Sequence, residues 1–189
     1  MSQSLQGLDP SEIRPLKRLE YDRLVELGCY EDERVELLDG MVVQMSPQDA
    51  RHSAPIRWLT MRLAPALAGR ALVQVQLPLA LGELSEPEPD ISVVPLGDYR
   101  TQHPTTALLI IEVALSSMRK DRQLKRSIYA RAAIPEFWLI DVKGGTLEVF
   151  REPGGGEYRE VRSLNASAQA SPEAFPDLVL GVAEILGQG

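Results

Sequence analysis

ALLIIEVALSSMRKDRQLKRSIYARAAIPEFWLIDV, residues 107–142, is the stretch that decides the fold. Residues 107–115 are apolar apart from Glu112, the pattern of a strand buried on both faces. Over about 119–132 the apolar residues Leu124, Ile128 and Ala132 return at helical spacing. EFWLIDV, 136–142, then reads as a second strand. Strand, helix, strand in that order is a βαβ unit, so the two strands are parallel and a helix covers them. The fold class is therefore α/β or α+β with a mixed central sheet.

Working outward, LKRLEYDRLVEL (16–27) has leucines near helical spacing and ends at Gly28. RVELLDGMVVQM (34–45) carries an Asp39-Gly40 turn between two apolar runs and predicts a hairpin. APIRWLTMRLAPALAG (54–69) predicts a helix ending at Gly69, with Pro65 expected to kink or shorten it. In ALVQVQLPLAL (71–81) every second residue is apolar while Gln74 and Gln76 face the other way, which predicts a strand. EPEPDISVVP (86–95) predicts a short strand entered through prolines. Downstream, TLEVFRE and EYREVRS flank PGGGE as an edge hairpin, and AFPDLVLGVAEILG closes with a short helix. Residues 1–15, interrupted by Gly7, Pro10 and Pro15, are expected to form a loose arm, and 16–189 a single domain.

The 189 residues are 44% hydrophobic and 25% charged, enough for one sizeable core. No signal-peptide pattern or membrane-length apolar run is present, and a single Cys29 fits a reducing compartment, so a cytoplasmic protein is expected. A net charge of −7 disfavours a simple nucleic-acid coat protein, since duplex binding depends on phosphate neutralisation. It does not disfavour an enzyme whose carboxylates bind metal.

Glu112 is the residue that demands an explanation. An ionised carboxylate in an apolar strand must be paired, ligate a cation or take up a proton. Asp90 heads the strand DISVV, and on a neighbouring strand it would form with Glu112 a carboxylate pair suited to Mg²⁺. As structure alone, Asp90 need only begin a turn. On the helix, Asp121 and Lys125 lie within or beside the sheet-facing stripe, and Arg119, Arg122 and Arg126 point to solvent. Lys125 is then the one lysine here able to turn toward Glu112; the plain alternative is an i,i+4 pair with Asp121. A metal-bound water, two carboxylates and an ammonium suffice for phosphodiester hydrolysis. His52, ahead of a helix, is a candidate base or phosphate contact. Cys29 has no nucleophile context, and PGGGE lacks the lysine of a phosphate loop.

SEPEPDISVV, IIEVALSS, DRQLKRSIYARAAIPEFWLID and LEVFREPGGGEYRE, in this order and spacing, resemble the Uma2 family. The likeness extends to RVELLDGMVVQMSP, the Arg51-His52 pair and PEAFPDLVLGVAEIL, nearly the whole chain beyond the arm. It implies a restriction-endonuclease-like PD-(D/E)XK core, in which Asp90 and Glu112 are metal ligands. The lysine expected two residues after the second acid is replaced by Ala114. The resemblance implies that Lys125 takes its place, flanked by Asp121 and Tyr129, and that Glu36 is an additional acidic residue reaching metal through water. Leu115 and Ala133 depart from the residues usual in relatives. The expected function is a Mg²⁺- or Mn²⁺-dependent endonuclease acting on nucleic acid, DNA before RNA, as a homodimer. Arg119, Arg122 and Arg126 are the candidate backbone contacts, and Asp121, Tyr129 and His52 the accessory residues. The rival readings are a non-catalytic module that binds nucleic acid or protein on the same fold, and a homo-oligomeric structural protein.

Overall fold

A computed structural model of the chain describes residues 12–114 and 119–188, with the side chains of 119–122 outside the described set. The elements run α1 (Arg18–Glu26), β1 (Val35–Leu38), β2 (Met41–Gln44), α2 (Ala50–Ala66), β3 (Leu72–Val75) and β4 (Ile91–Val94). They continue with β5 (Leu109–Ala114), α3 (Arg119–Arg131), β6 (Glu136–Asp141), β7 (Thr146–Gly154) and β8 (Glu157–Asn165). Two short strands, β9 (Gln169–Ala170) and β10 (Leu180–Gly181), and α4 (Val182–Ile185) complete the chain.

The expected βαβ unit is present: β5 and β6 pair in parallel, with Glu112 opposite Leu139, and α3 connects them. All other pairings in the six-stranded sheet, ordered β3-β4-β5-β6-β7-β8, are antiparallel. The sheet is mixed and flanked by helices, an α+β arrangement.

Alternation along the strands divides the interior in two. Leu109, Ile111 and Val113 join Ile91, Val93, Trp138 and Ile140 in a core with Ile56, Leu59 and Leu63 of α2. Ile110 and Ala114 join Val94, Phe137 and Leu139 in a second core with Ile128 and Tyr129 of α3. Glu112 shares the parity of Ile110 and Ala114, so the pleat aims it at α3. Leu124 and Ala132 pack against this second core as the helical stripe predicts.

The hairpin of β1 and β2 forms at Asp39 (φ 49°) and Gly40 (φ 77°), a two-residue turn with both residues left-handed. Gly40 is required twice over, because a Cβ there would collide with the Pro15 ring. Pro15, expected in a loose arm, thus packs against the hairpin, and Leu16 N–H donates to the Gly40 carbonyl at 3.0 Å.

Three boundaries differ from expectation. α2 begins at Ala50, because the Asp49 carboxylate caps it by accepting from the N–H groups of Arg51 and His52, and it continues past Pro65 to Ala66. The strand expected over 71–81 stops at Val75: Gln76 takes φ 52° and Pro78 has no N–H to donate. Leu79 and Leu81 instead bond to Pro87 and Ser85. The strand expected from 86 starts at Ile91, after Pro87 and Pro89.

Glu136 is a buried carboxylate that sequence patterning hides inside EFWLIDV. It is 0% exposed, and its Oε1 accepts from Trp138 Nε1 (2.8 Å), Arg151 Nε (2.9 Å) and Arg151 Nη2 (2.7 Å). Its Oε2 accepts from Glu173 N–H at 2.6 Å, tying β6 and β7 to the chain after β9. Arg151→Ala would leave a buried charge without a cation and is expected to lower the unfolding free energy by roughly 3–5 kcal/mol. Urea denaturation measures this, and a loss under about 1 kcal/mol would mean that the neutral donors satisfy Glu136 unaided.

Candidate active site

Antiparallel pairing of β4 and β5 sets Ile91 opposite Ile111. One step further along the same register, Asp90 stands across from Glu112, as a neighbouring-strand carboxylate pair requires. Asp90 is buried, and its Oδ2 accepts from Val113 N–H at 2.8 Å, continuing the ladder with a side chain where backbone pairing ends. Its Oδ1 faces His52 Nε2 at 2.9 Å and the amides of Gln48 and Gln76, each at 3.4 Å.

Glu112 receives two groups from successive turns of α3. Lys125 Nζ donates to its Oε1 at 3.1 Å and Tyr129 Oη at 2.6 Å. The i,i+4 spacing of Lys125 and Tyr129 puts both on the sheet-facing side of the helix. Lys125 also reaches Glu36 Oε2 on β1, at 2.9 Å. Glu36 is itself held, since the same oxygen accepts from Glu88 N–H at 3.0 Å. Lys125 therefore turns inward, with its side chain 13% exposed, and bridges two carboxylates from different elements.

Glu36, Gln48, His52, Asp90, Glu112 and Lys125 line one cavity of about 360 Å³, together with apolar residues that include Val43, Met45, Phe137 and Leu139. Glu88 lines it as well, with Arg34 Nη2 3.7 Å from its Oε2. Carboxylates outnumber cations here, and the proton affinities follow. Burial pushes Glu112 up to about 7; Asp90 and Glu36 add to this, while Lys125 and the Tyr129 hydroxyl oppose it. Burial by itself would lower the Lys125 pKa, but Glu112 and Glu36 outweigh it and the net direction is up. His52 is raised because its hydrogen bond to Asp90, with the charges of Asp90, Glu112 and Asp49, exceeds the opposing effect of burial. Burial, reinforced by Glu36 and resisted by Arg34 and Lys125, also raises Glu88.

Asp90, Glu112, Lys125, Glu36, Tyr129 and His52 are thus brought together. The side chains of Arg119, Asp121 and Arg122 lie outside the described residues, as does Leu115. Arg126 does not project freely into solvent as expected. Its Nη2 is 3.3 Å from Glu157 Oε2 and its guanidinium lies 5.5 Å over the Phe150 ring, because β7 and β8 rise beside α3. Gln48, Gln76 and Glu88 are site residues that the sequence pattern does not mark. Glu88 stands in the proline-punctuated PEPD next to Asp90, and that proximity is its only signal. Among the described residues, no group of three His, Cys, Asp or Glu side chains is disposed to hold a metal ion.

The mixed sheet carries Asp90 at the head of β4 and Glu112 on the adjacent β5, with Lys125 reaching in from the following helix. The family model described as "Putative restriction endonuclease" matches residues 19–183, and the chain belongs to this family, Uma2. The fold is shared with the crystal structure of a "putative nuclease belonging to DUF820" from Anabaena variabilis ATCC 29413, at TM-score 0.75 and 18% identity over 92% of this chain and 99% of that one. A weaker likeness, TM-score 0.38 and 20% identity, is to the type IIG restriction endonuclease BpuSI; it covers 64% of this chain and 14% of that protein and carries no argument. No functionally curated protein matches the chain.

A carboxyl whose folded pKa is raised, as in Glu112, stabilises the fold below its unfolded pKa, and that contribution is lost as pH rises through the folded value, about 7. The expected loss between pH 4.5 and above 7 is on the order of 3 kcal/mol, at about 1.4 kcal/mol for each pH unit between the unfolded and folded values. Glu86, raised likewise to about 7 by burial and Asp22, acts with the same sign, so the comparison is with Glu112→Gln, which leaves Glu86 in place. Urea denaturation in chelator across this range should give a shallower pH slope for the variant. Equal slopes would mean that Glu112 does not carry the raised pKa.

Proposed function

We propose that the chain is a metal-dependent nuclease hydrolysing phosphodiester bonds, with DNA favoured over RNA as substrate by the family's restriction-endonuclease description. One observation carries the reading. Lys125, displaced by eleven positions from Ala114, where the standard motif has its lysine, still reaches Glu112 at 3.1 Å, across the strand pair from Asp90.

The donor chemistry fits a hard divalent cation. Asp90 and Glu112 are the residues that would hold Mg²⁺ or Mn²⁺, ions that take carboxylate oxygens and keep several waters. A pair of carboxylates suits an ion that retains water, and burial, with Asp90 and Glu36 adding to it, raises the Glu112 pKa. When bound, such an ion supplies a more acidic water and positive charge toward phosphate.

The chain's own residues have distinct tasks. The Lys125 ammonium stays protonated at neutral pH, since its pKa is raised. It acts as a donor that orients the attacking water and stabilises charge on the phosphate, not as a base. Glu36, anchored by Glu88 N–H, holds that ammonium in the cavity. Tyr129 orients the Glu112 carboxylate, and His52 contacts Asp90 Oδ1 before a metal is bound. The expected setting is a cytoplasmic homodimer. No described helix is long and apolar enough to cross a membrane, and Cys29 is free and exposed.

Purified wild type should nick plasmid DNA in Mg²⁺ or Mn²⁺ and not in chelator. Lys125→Ala and Asp90→Ala should each reduce the rate by at least roughly 100-fold, the scale of removing one preorganised charge-stabilising group. Cleavage by the variants at wild-type rates would defeat the assignment. Tight binding of nucleic acid without cleavage by any form would favour the non-catalytic module.

A further inference from the structure

Gln76 differs from the other residues around the carboxylate pair in its backbone. It is where β3 ends, and its φ is 52°. A non-glycine side chain is disfavoured there, and Gly or Asn adopts the conformation most readily. A turn that only redirected the chain before Pro78 would be better served by either. Glutamine at this position makes sense for what its side chain reaches.

That side chain ends on Asp90. Gln76 Nε2 donates to Asp90 Oδ1 at 3.4 Å, while Gln76 backbone N–H donates to the Asp90 carbonyl at 3.3 Å. One residue therefore holds Asp90 through main chain and side chain together. The same Oδ1 also faces Gln48 Nε2 at 3.4 Å and His52 Nε2 at 2.9 Å, and Oδ2 is occupied by Val113 N–H. A carboxylate oxygen has two lone pairs, so three donors cannot all remain once Oδ1 takes a further partner. Gln48 and His52 come from the loop before α2 and its first turn. Gln76 comes from the strand hydrogen-bonded to the one Asp90 begins.

We infer that Gln76 is a positioning residue for Asp90. Its amide fixes the carboxylate from within the sheet, commits one lone pair of Oδ1 and leaves the other for a hard divalent cation when Gln48 and His52 both yield. The inference rests on the metal-dependent reading above. It explains why a strained backbone is kept at this point, and it gives Gln76 the part that outer partners of ligating carboxylates play in fixing ligand orientation.

Two substitutions separate this role from that of a turn. Gln76→Gly relieves the left-handed backbone and removes the amide. Gln76→Asn keeps a residue that tolerates the conformation but shortens the side chain by one methylene. In both, Mn²⁺ affinity measured by titration calorimetry should weaken by about tenfold or more. The metal-free melting temperature should stay at or above that of wild type. Wild-type Mn²⁺ affinity in both variants, or a lowered metal-free melting temperature in both, would overturn the inference while leaving the metal-dependent reading intact. A wild type that binds no Mn²⁺ would overturn both.

Discussion

The Lys125 ammonium between Glu36 and Glu112 is the interaction on which the site depends. It joins α3, β1 and β5, three elements that share no continuous hydrogen-bond ladder, through contacts of 2.9 and 3.1 Å. Opposite charges this close and this buried interact strongly, but only where their desolvation is offset. Here the offset comes from neutral donors as well: Glu88 N–H on Glu36 and Tyr129 Oη on Glu112. Ile128, packed under the sheet, sets the rotation of α3 that brings Lys125 and Tyr129 to the same carboxylate.

Two glutamates within the central strands are enclosed by the fold with very different partners. Glu136 is fully buried yet has a guanidinium and two further N–H donors on its oxygens. Its charge is spent on holding β6, β7 and the chain after β9 together. Glu112 has one shared ammonium and one hydroxyl, with Asp90 and Glu36 adding negative charge beside it. Burial, with Asp90 and Glu36 adding to it, favours the protonated form of Glu112.

Much of the fold is legible in local patterning. The buried run around Glu112, the helical return of Leu124, Ile128 and Ala132, and the second strand from Glu136 require a parallel pair with a covering helix. The helical phase also singles out Lys125 over the neighbouring arginines. Less legible are the ends of elements. By alternation Gln76 is one more outward residue of a strand to 81, whereas its left-handed backbone stops the strand and redirects its amide. By helical phase Arg126 faces solvent, because phase does not know that β7 and β8 stand alongside, offering Glu157 and the Phe150 ring. Gln48 and Glu88 carry no periodic signal, since loop residues enter a site by chain path and not by phase.

Residue periodicity by itself determined the βαβ unit, the mixed sheet, the face of β5 that carries Glu112 and the face of α3 that carries Leu124, Lys125 and Ile128, because alternation and helical turn are properties of the local backbone. It also isolated Glu112 as a carboxylate that needed a partner. Only the tertiary structure decided who the partners are. Strand register set Asp90 across from Glu112, docking of the β1–β2 hairpin brought Glu36 to Lys125, and the loop before α2 and its first turn delivered Gln48 and His52 to Asp90. Those pairings depend on contacts between segments far apart in the chain, and no local pattern encodes the distance between two side chains that meet only when the sheet has formed.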